Sequence, residues 1–473
     1  MHRLTLRDFV TALGPAEVVN DASVEISDLA YNTRAVTPGA LFFCVRGSHA
    51  DGHAFAPTAA AAGAAGLVVE HPVDVELPQL VVADSRKAMA PCATLFFDDP
   101  TQELDIAGIT GTNGKTTTAF LLHAILDAAG RGTGLLTNIE RRVAGEEQPV
   151  GLNTPEAIDL QRLFRDMLDG SDSACVMEAT SIAQAQGRLD GTRFAVLVFT
   201  NLTQDHLDFH GTMEDYFEAK RALFEQADRA VVNVGDEYGR RLAAQLPNAV
   251  TFDAGSDALG GIDLELRGGF NRLNAISAAL AARSLGVDEE AIKRGIESVH
   301  GVPGRFESIE EGQPFTVIVD YAHTPDSLDN VIRAARELGG GRLTVVFGAG
   351  GDRDRVKRPL MGRVVSELAD RAILTSDNPR SENPEAIAAE VANGALGSFE
   401  LELDRRTAIE RALTEARAGD IVVLAGRGAE REQELATGKI PFDDREVARE
   451  VLRQAYGPGY MPQHRHPNTA LGS

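Results

Sequence analysis

Short apolar runs alternate with longer amphipathic stretches along most of the chain. In the first hundred residues, the runs ALFFCV, GLVVE and LPQLVVA alternate with an Ala-rich stretch, and AAAAGAAGLVV at 59–69 predicts the end of a helix that leads into a buried strand. Short continuous apolar runs are typical of strands that are buried on both faces, whereas apolar residues at three- and four-residue intervals are typical of helices. The pattern therefore predicts a small α/β unit over residues 1–100.

The same alternation restarts at about residue 101 and again at about residue 306. Pro155 is expected to begin one helix, and Thr212 and Asp215 have the spacing of a helix cap. Apolar strands that alternate with helices indicate mostly parallel sheets with helices on both faces. Three α/β domains and a polar, Pro- and Gly-rich tail, which is predicted to be disordered, are therefore expected at 1–100, 101–305, 306–456 and 457–473.

Composition narrows the classes of function. The 473 residues include 70 Asp and Glu against 46 Lys and Arg, which gives a net charge of −24. This balance argues against a nucleic-acid binder, because such affinity depends on clustered cations. Cys44, Cys92 and Cys175 lie in apolar surroundings, which indicates buried thiols of a reducing compartment such as the cytoplasm. Neither a secretory leader nor a membrane span is expected from the sequence.

The strand LDIAGIT runs into a glycine-rich loop and then a helix, within the stretch GITGTNGKTTTAF at 108–120. Such a loop presents backbone N–H groups and a helix N-terminus to phosphates. The common phosphate-loop pattern would require glycine at the position of Ile109, so this loop is a variant. Lys115 is predicted to reach the terminal phosphates and Thr116 to bind Mg²⁺. The other ATP-binding residues of the loop are predicted to be Gly111, Thr112, Asn113, Gly114 and Thr117.

Polar residues follow two further apolar strands. Glu178 ends the strand of VMEATS, at the sheet edge where α/β proteins bind ligands, and its carboxylate could bind magnesium or simply cap a helix. The next polar loop, FTNLTQDHLDFHGT, could hold a metal through oxygen and imidazole or be purely structural. Lys220 on the following helix is, by itself, an ordinary helix lysine. The polar loop contributes Asp205, His206, Asp208 and His210.

Nine motifs of this chain resemble, in sequence and in order, the motifs of one protein family. They are TGTNGKTT, MEATS, FTNLTQDHLD, YFEAK, FNRLNA, PGRFE, DYAHTPDSL, GAGGDRD and DNPR, and the resemblance covers about residues 23–450. Together they resemble the Mur ligases, the ATP-dependent amide-bond-forming ligases of peptidoglycan assembly. The resemblance implies a small Rossmann-like N-terminal domain that binds a UDP-sugar, a central P-loop ATPase-like domain, and a Rossmann-like C-terminal domain that binds an amino acid.

The resemblance also implies a mechanism. The D-Glu carboxylate of UDP-N-acetylmuramoyl-L-alanyl-D-glutamate attacks the γ-phosphoryl group of ATP, and an amine then displaces phosphate from the acyl phosphate. By the same resemblance, Thr116 and Glu178 bind one Mg²⁺ and His206 helps to bind a second. Lys220 resembles a lysine that carries a carbamate and acts as a metal ligand. Lys115 offsets the repulsion between the two anionic reactants. A monomer is expected, with its site completed by closure of the second and third domains.

Binding residues are assigned by the motif in which each one stands. DNPR marks a pocket for meso-diaminopimelate, in which Arg380 would pair with the distal carboxylate that L-lysine lacks. Further ATP contacts are implied for Asn271, Arg305 and Asp320. The implied contacts to the UDP-sugar and its peptide are Tyr31, Thr33, Ser48, His49, Ala50, Asn153, Thr154, Thr180, Gln186 and Arg188. The implied contacts to the amino acid are Arg353, Asp377, Asn378, Pro379, Arg380, Gly426 and Glu430.

Three segments depart from the family pattern, and in one of them, LNTPEA, Asn153 replaces the first threonine of the usual TTP but can still form hydrogen bonds. Ile182 stands where the family usually has the histidine of SSH, and AGRGAE at 425–430 replaces the usual AGKGHE. Three functions are therefore weighed: a diaminopimelate-adding ligase, a sister ligase that uses lysine or another acceptor, and a weakly active Mur-like scaffold. DNPR argues against lysine. The scaffold is disfavoured because the chain retains the predicted catalytic residues Lys115, Glu178, His206 and Lys220.

Overall fold

A computed structural model describes residues 4–14, 16–47 and 50–456. Three largely parallel sheets lie in the three stretches predicted to be domains, which confirms the α/β class. The chain divides into two compact units, one that runs to Thr203 and includes Phe209–His300, and one that combines Gln204–Asp208 with the residues from Gly301 onwards. Because the first two sheets share one unit, the division into three domains stays a prediction. The predicted disordered tail lies outside the described residues.

The first sheet belongs to the N-terminal stretch. The elements of this stretch are β1 (Leu4–Thr5), α1 (Leu6–Leu13), β2 (Glu17–Val19), β3 (Glu25–Ile26), β4 (Asp28–Ala30), β5 (Ala40–Phe43), α2 (Ala56–Ala61), β6 (Gly66–Val69), β7 (Gln79–Val81) and α3 (Ser85–Phe96). Strands β1 and β3 pair antiparallel in a separate two-stranded sheet. The strand order of the first sheet is β2-β7-β6-β5-β4, in which only β2 is antiparallel to its neighbour. Every residue of β5 and β6 is buried, as the continuous apolar runs predict.

The second sheet has eight strands. Its elements are β8 (Asp105–Thr110), α4 (Lys115–Ala128), β9 (Thr133–Leu136), β10 (Arg141–Val143), β11 (Glu146–Gln148), α5 (Ala157–Asp169), β12 (Ala174–Glu178), α6 (Ser181–Ala185), β13 (Val196–Phe199), α7 (Leu207–His210), α8 (Met213–Arg221), β14 (Ala230–Asn233), α9 (Glu237–Ala243), β15 (Val250–Phe252), α10 (Gly269–Ser284) and α11 (Glu289–Glu297). The order is β11-β10-β9-β12-β8-β13-β14-β15. The six strands β9, β12, β8, β13, β14 and β15 are parallel, whereas β10 and β11 are antiparallel to their neighbours.

The third sheet lies in the second unit. Its elements are β16 (Glu307–Ser308), β17 (Thr316–Asp320), α12 (Pro325–Arg336), β18 (Leu343–Phe347), α13 (Lys357–Leu368), β19 (Arg371–Leu374), α14 (Pro384–Ala392), β20 (Glu400–Leu401), α15 (Arg405–Thr414), β21 (Ile421–Ala425), β22 (Glu432–Leu435), β23 (Gly438–Pro441) and α16 (Asp444–Tyr456). The order is β16-β17-β21-β18-β19-β20, with only β16 antiparallel, while β22 and β23 form a separate hairpin.

Helix α5 packs against the N-terminal sheet within the first unit. Ala157 belongs to the apolar core of that sheet, and Arg162 Nη2 donates to Asp28 Oδ1 at 2.9 Å. The helix begins at Ala157, so the predicted start at Pro155 was wrong by two residues. The physical reason is that Glu156 keeps an extended backbone and serves as the residue before the first helical turn. None of the helices in the described ranges has the length and apolar character needed to cross a bilayer.

Removing the carboxylate of Asp444 is expected to destabilise the second unit by about 3–5 kcal/mol. Asp444 and Arg405 form a fully buried ion pair, with Arg405 Nε donating to Asp444 Oδ1 at 2.8 Å. Asp444→Ala would leave a buried guanidinium without its counter-charge. Urea unfolding would measure the loss. The matched control is Asp329→Ala, which breaks an exposed pair with Arg333 and should change stability by less than about 0.5 kcal/mol. Equal effects of the two changes would contradict this account.

Candidate active site

The phosphate loop lies between β8 and α4, as predicted. Gly111 has φ +144°, and a Cβ there would lie 1.9 Å from Thr200 Oγ1, so only glycine fits. The loop is tied to the chain that follows β13, because Thr112 N donates to Asn201 O and Asn113 N donates to Asn201 Oδ1, each at 2.9 Å. These bonds hold the loop backbone in one conformation at the start of a helix, which is a geometry suited to phosphate.

Two lysines converge on this loop. Lys115 Nζ donates to Gly111 O at 3.1 Å and to Thr112 O at 2.8 Å. Lys220 is only 1% exposed, and its Nζ donates to the same Gly111 carbonyl at 2.9 Å. Helix α8 places Lys220 here, and this helix begins at the predicted cap, where Thr212 Oγ1 accepts from Asp215 N. The loop thus gathers two positive charges next to a helix N-terminus.

A buried Thr–Glu pair lies beside the loop. Glu178 ends β12, the parallel neighbour of β8, and its Oε1 accepts from Thr116 Oγ1 at 2.7 Å. Asn153 Nδ2 donates to Glu178 Oε2 at 3.0 Å. A hydroxyl and a carboxylate are oxygen donors of the kind that Mg²⁺ prefers, so this pair fits the predicted ion. Over the described ranges, three or more His, Cys, Asp or Glu side chains do not gather into a metal-binding group.

Residues predicted to contact the muramoyl part and the peptidyl acceptor lie together. Thr154 Oγ1 donates to Glu178 O at 2.8 Å and lies 3.0 Å from Thr180 Oγ1, while Arg188 Nη1 donates to Thr154 O at 3.1 Å. Glu156, which sequence reasoning missed, is buried and lies 3.3 Å from Arg188 Nε. Its position in the motif LNTPEA, next to the predicted contact residues Asn153 and Thr154, was the sequence feature that could have pointed to it. Within the described chain, the buried oxygens Asn153 Oδ1 and Gln186 Oε1 have no hydrogen-bond partner.

The other predicted contacts of the first unit are spread over several elements. Thr117 is buried on α4, and Asn271 accepts from Asn274 Nδ2 at 3.1 Å on α10. The hydroxyl of Tyr31 donates to Asp159 on α5, and burial raises the pKa of that phenol. The structure also places Gly114, whose Cβ position would lie 2.3 Å from Asn274 Oδ1, Thr33, which begins a 3₁₀ turn, and Ala50, whose carbonyl accepts from Gly47 N. Ser48 and His49 lie outside the described residues.

In the second unit, Arg305 and Asp320 come together. Asp320 ends β17, and its two carboxylate oxygens accept from Phe306 N and Ala322 N, each at 2.7 Å. Arg305 stacks over the ring of Tyr321 at 4.3 Å. Burial raises the pKa of Asp320 in spite of the nearby Arg305 charge. Asp320 therefore fixes the turn that carries Arg305.

His206 lies in the short segment that groups with the second unit, and its φ is +55°. Its neighbour Asp205, which the sequence placed in the same polar loop, receives a hydrogen bond from Lys357 Nζ at 3.2 Å and lies 3.7 Å from His323 Nε2. Burial opposes ionisation of Asp205, but the His323 hydrogen bond and the Lys357 charge outweigh it and hold its pKa well below the ordinary value. The predicted metal role of His206 stays a prediction.

The DNPR turn meets the chain that follows β21. Asn378 Nδ2 donates to Glu430 Oε2 at 2.8 Å. Burial, reinforced by the charge of Asp377, raises the pKa of Glu430. A Cβ at Gly426 would lie 2.6 Å from Asp377 Oδ2, which explains the glycine at this close approach. Pro379 is buried in the turn, whereas Arg353 is exposed and its Nη1 donates to Asp352 O.

The departures from the family pattern have structural counterparts. His210 Nε2 lies 2.9 Å from Ser181 Oγ, so an imidazole reaches α6 even though Ile182 replaces the usual histidine. Arg427, in place of the usual lysine, is fully buried, and its Nη1 donates to Asn378 Oδ1 at 2.7 Å. Ala429 provides no imidazole where the family usually has a histidine. The arginine therefore supports the DNPR turn directly.

The strand–loop–helix geometry and the Thr116–Glu178 pair define a nucleotide-binding protein of the P-loop class. Three family models match the chain: the Mur ligase family catalytic domain at 25–94, the Mur ligase middle domain at 109–263, and the Mur ligase glutamate ligase domain at 304–428. The chain belongs to the Mur ligase family, and it is an ATP-dependent amide-bond-forming ligase.

Individual relatives match over nearly the full length. The UDP-N-acetylmuramoyl-L-alanyl-D-glutamate--2,6-diaminopimelate ligase of Solibacter usitatus is 46% identical over 470 residues, which cover 92% of this chain and 95% of that protein. The protein of the same name from Bacillus cereus is 41% identical and covers 95% and 98%, respectively. A solved structure of a ligase with this name is 29% identical, covers 96% of this chain and 99% of its own, and gives a TM-score of 0.64.

Proposed function

We propose that this chain joins meso-diaminopimelate to UDP-N-acetylmuramoyl-L-alanyl-D-glutamate while converting ATP to ADP and phosphate. The observation that carries the proposal is the DNPR turn, which presents Arg380 and the hydrogen-bonded pair Asn378–Glu430. A guanidinium suits the distal carboxylate by which diaminopimelate differs from lysine. The 46% identical relative, whose name includes this amino acid, supports the same substrate. The product would serve peptidoglycan assembly and, through it, cell shape and division.

The reaction has two steps. An oxygen of the D-Glu carboxylate bonds to the γ-phosphorus of ATP, and the bond from that phosphorus to the bridging oxygen breaks to release ADP. The amine nitrogen then bonds to the acyl carbon and loses a proton, and phosphate leaves with its acyl oxygen. Lys115 would offset the charge of the phosphates at the loop. Asn271, Arg305 and Asp320 would supply the remaining ATP contacts, and the enzyme would act as a cytoplasmic monomer.

Three further groups of residues would bind the other two substrates. Thr180, Gln186 and Arg188 would hold the peptidyl acceptor, and Asn153 and Thr154 would contact the muramoyl part. The buried oxygens Asn153 Oδ1 and Gln186 Oε1 would accept hydrogen bonds from this substrate. The uridine part would contact Tyr31, Thr33, Ser48, His49 and Ala50. The incoming amino acid would contact Arg353, Asp377, Asn378, Pro379, Arg380, Gly426 and Glu430. The proposed three domains carry these groups in chain order.

Magnesium would be held by the Thr116 hydroxyl and the Glu178 carboxylate, with His206 and a carbamate on Lys220 as further ligands. When bound, the ion would offset the negative charge that develops on the phosphates. A carbamate would replace the buried Lys220 ammonium, which is 1% exposed, with an anionic oxygen ligand. This modification would explain a buried lysine beside a metal site.

Glu178→Gln is expected to raise the Mg²⁺ concentration needed for half-maximal ADP binding by about 10- to 100-fold. The amide keeps the hydrogen bond from Thr116 but lacks the charge that attracts the ion. Titration calorimetry of ADP at increasing Mg²⁺ would measure the change without any turnover. Glu146→Gln, on the exposed edge strand β11, is the matched control and should leave the Mg²⁺ dependence unchanged. An unchanged dependence in Glu178→Gln would remove this residue from the metal site.

The direct test of the proposed function is ADP formation in mixtures that lack one substrate at a time. ADP should form at full rate only when ATP, the UDP-muramoyl dipeptide and meso-diaminopimelate are all present. A scaffold would form none in any mixture. ADP formation that is equally fast without the dipeptide would contradict the proposal, because the dipeptide supplies the attacking carboxylate.

A further inference from the structure

Arg380 is held from two sides, and Glu434 supplies most of the support. Arg380 Nε donates to Glu434 Oε2 at 2.8 Å, and Arg380 Nη1 donates to Gly351 O at 2.7 Å. The backbone N–H of Arg380 also donates to Glu434 O at 3.0 Å. These contacts fix a residue whose φ is +51°, in the left-handed region that side-chain-bearing residues seldom adopt. Residue 434 thus controls both the backbone and the guanidinium of Arg380.

The contacts leave one edge of the guanidinium available. Glu434 takes the Nε edge, and Gly351 takes one N–H of Nη1. Among the described residues, Arg380 Nη2 makes no hydrogen bond. A guanidinium carries five N–H donors in a planar fork, so the Nη1–Nη2 end can still receive a carboxylate. The Glu434 carboxylate therefore determines the direction in which the remaining donors point.

We propose that Glu434 is a positioning residue for amino-acid specificity, which holds the Arg380 guanidinium so that its Nη end faces the distal carboxylate of the incoming amino acid. This inference rests on the proposed function, because it takes Arg380 as the group that recognises that carboxylate. Its physical basis is preorganisation: a long side chain that is already held in its binding geometry loses less entropy when the ligand binds.

The hairpin that carries Glu434 is anchored independently of the Glu434 side chain. Glu434 N donates to Asn378 Oδ1 at 2.9 Å, and Gln433 Nε2 donates to Asp377 O at 2.7 Å. Arg427 Nη2 donates to Glu432 O at 2.7 Å. Strand β22 also pairs with β23 along its length. Shortening the Glu434 side chain should therefore release the guanidinium while the backbone of the turn stays in place.

A competing role for Glu434 makes the opposite prediction. If its carboxylate occupied the position of the substrate carboxylate, Glu434→Ala would expose Arg380 and lower the KM for diaminopimelate. The positioning role predicts that Glu434→Ala raises this KM by about three- to tenfold, with kcat nearly unchanged. Glu434→Gln keeps an oxygen that accepts from Nε and should restore a KM within about twofold of the parent value.

The experiment measures KM and kcat for meso-diaminopimelate and for L-lysine in the full chain and its variants. Glu432→Ala is the matched control, because this residue lies on the same strand and its exposed carboxylate pairs with Lys439. It should leave both constants unchanged. A KM for diaminopimelate in Glu434→Ala that is unchanged or lower than that of the parent chain would overturn the positioning role.

A double variant separates this inference from the proposed function. If Glu434 acts through Arg380, Glu434→Ala should add nothing to the loss already caused by Arg380→Ala. Additive losses would overturn the inference and leave the role of Arg380 intact. If Arg380→Ala keeps full preference for diaminopimelate over lysine, the proposed role of Arg380 fails, and the role of Glu434 fails with it.

Discussion

Replacing Lys115 by alanine is expected to lower the rate of ADP formation by at least about 10³-fold. Lys115 Nζ lies within hydrogen-bond distance of the Gly111 and Thr112 carbonyls, so its charge is held over the phosphate loop. A substrate-saturated assay of ADP formation would measure the loss, and thermal unfolding would show that the variant is folded.

Lys293→Ala is the matched control for this change. Lys293 is an exposed lysine of α11 in the same unit, so its removal should leave the rate within about twofold of the parent value. Lys115→Arg keeps the charge but not the shape of the ammonium, and it should recover only part of the rate. If Lys115→Ala kept more than a tenth of the parent rate, the ATP phosphates would have to bind away from Lys115.

Arg380→Ala is expected to abolish most of the preference for meso-diaminopimelate over L-lysine. A site built to pair with a polar group of its substrate can reject an analogue that lacks the group by up to about 10⁴-fold. Because Arg380 is partly buried and the distal carboxylate would lose its partner, the KM for diaminopimelate should rise far more than kcat falls. Steady-state kinetics with the two amines would measure the ratio of kcat/KM values.

The matched control for Arg380 is Arg363→Ala. Arg363 lies on α13 in the same unit, and its exposed guanidinium pairs with Glu367. This change should leave the preference for diaminopimelate intact. If Arg380→Ala were as selective as Arg363→Ala, the specificity pocket would have to be sought outside the DNPR turn.

The features that the sequence predicted well are local. The loop from Gly111 to Lys115 follows a buried strand and opens a helix, and residues so close in sequence have few alternative arrangements. Strands such as β5, β6, β8 and β12 were predicted because their continuous apolar runs stay buried between helices, whereas short strands such as β10 and β20 were not. The proximity of Glu178 to Thr116 could also be predicted, because neighbouring parallel strands end at a common edge of a sheet.

The features that the sequence missed depend on partners far apart in the chain. Asp205 pairs with Lys357 across 152 residues, and Arg380 pairs with Glu434 across 54 residues. Such pairs follow from the packing of whole elements, which no local pattern encodes. In the sequence, Arg427 shows only as a departure from the family pattern. Its burial and its hydrogen bond to Asn378 depend on the tertiary packing around the DNPR turn, which the sequence pattern does not show.

The measurement that decides the substrate is the mass of the product formed from ATP and UDP-N-acetylmuramoyl-L-alanyl-D-glutamate when meso-diaminopimelate and L-lysine compete. We expect a UDP-muramoyl tripeptide that contains diaminopimelate, with one ADP and one phosphate released per molecule of product. A tripeptide that contains lysine, or ADP release without any tripeptide, would contradict it.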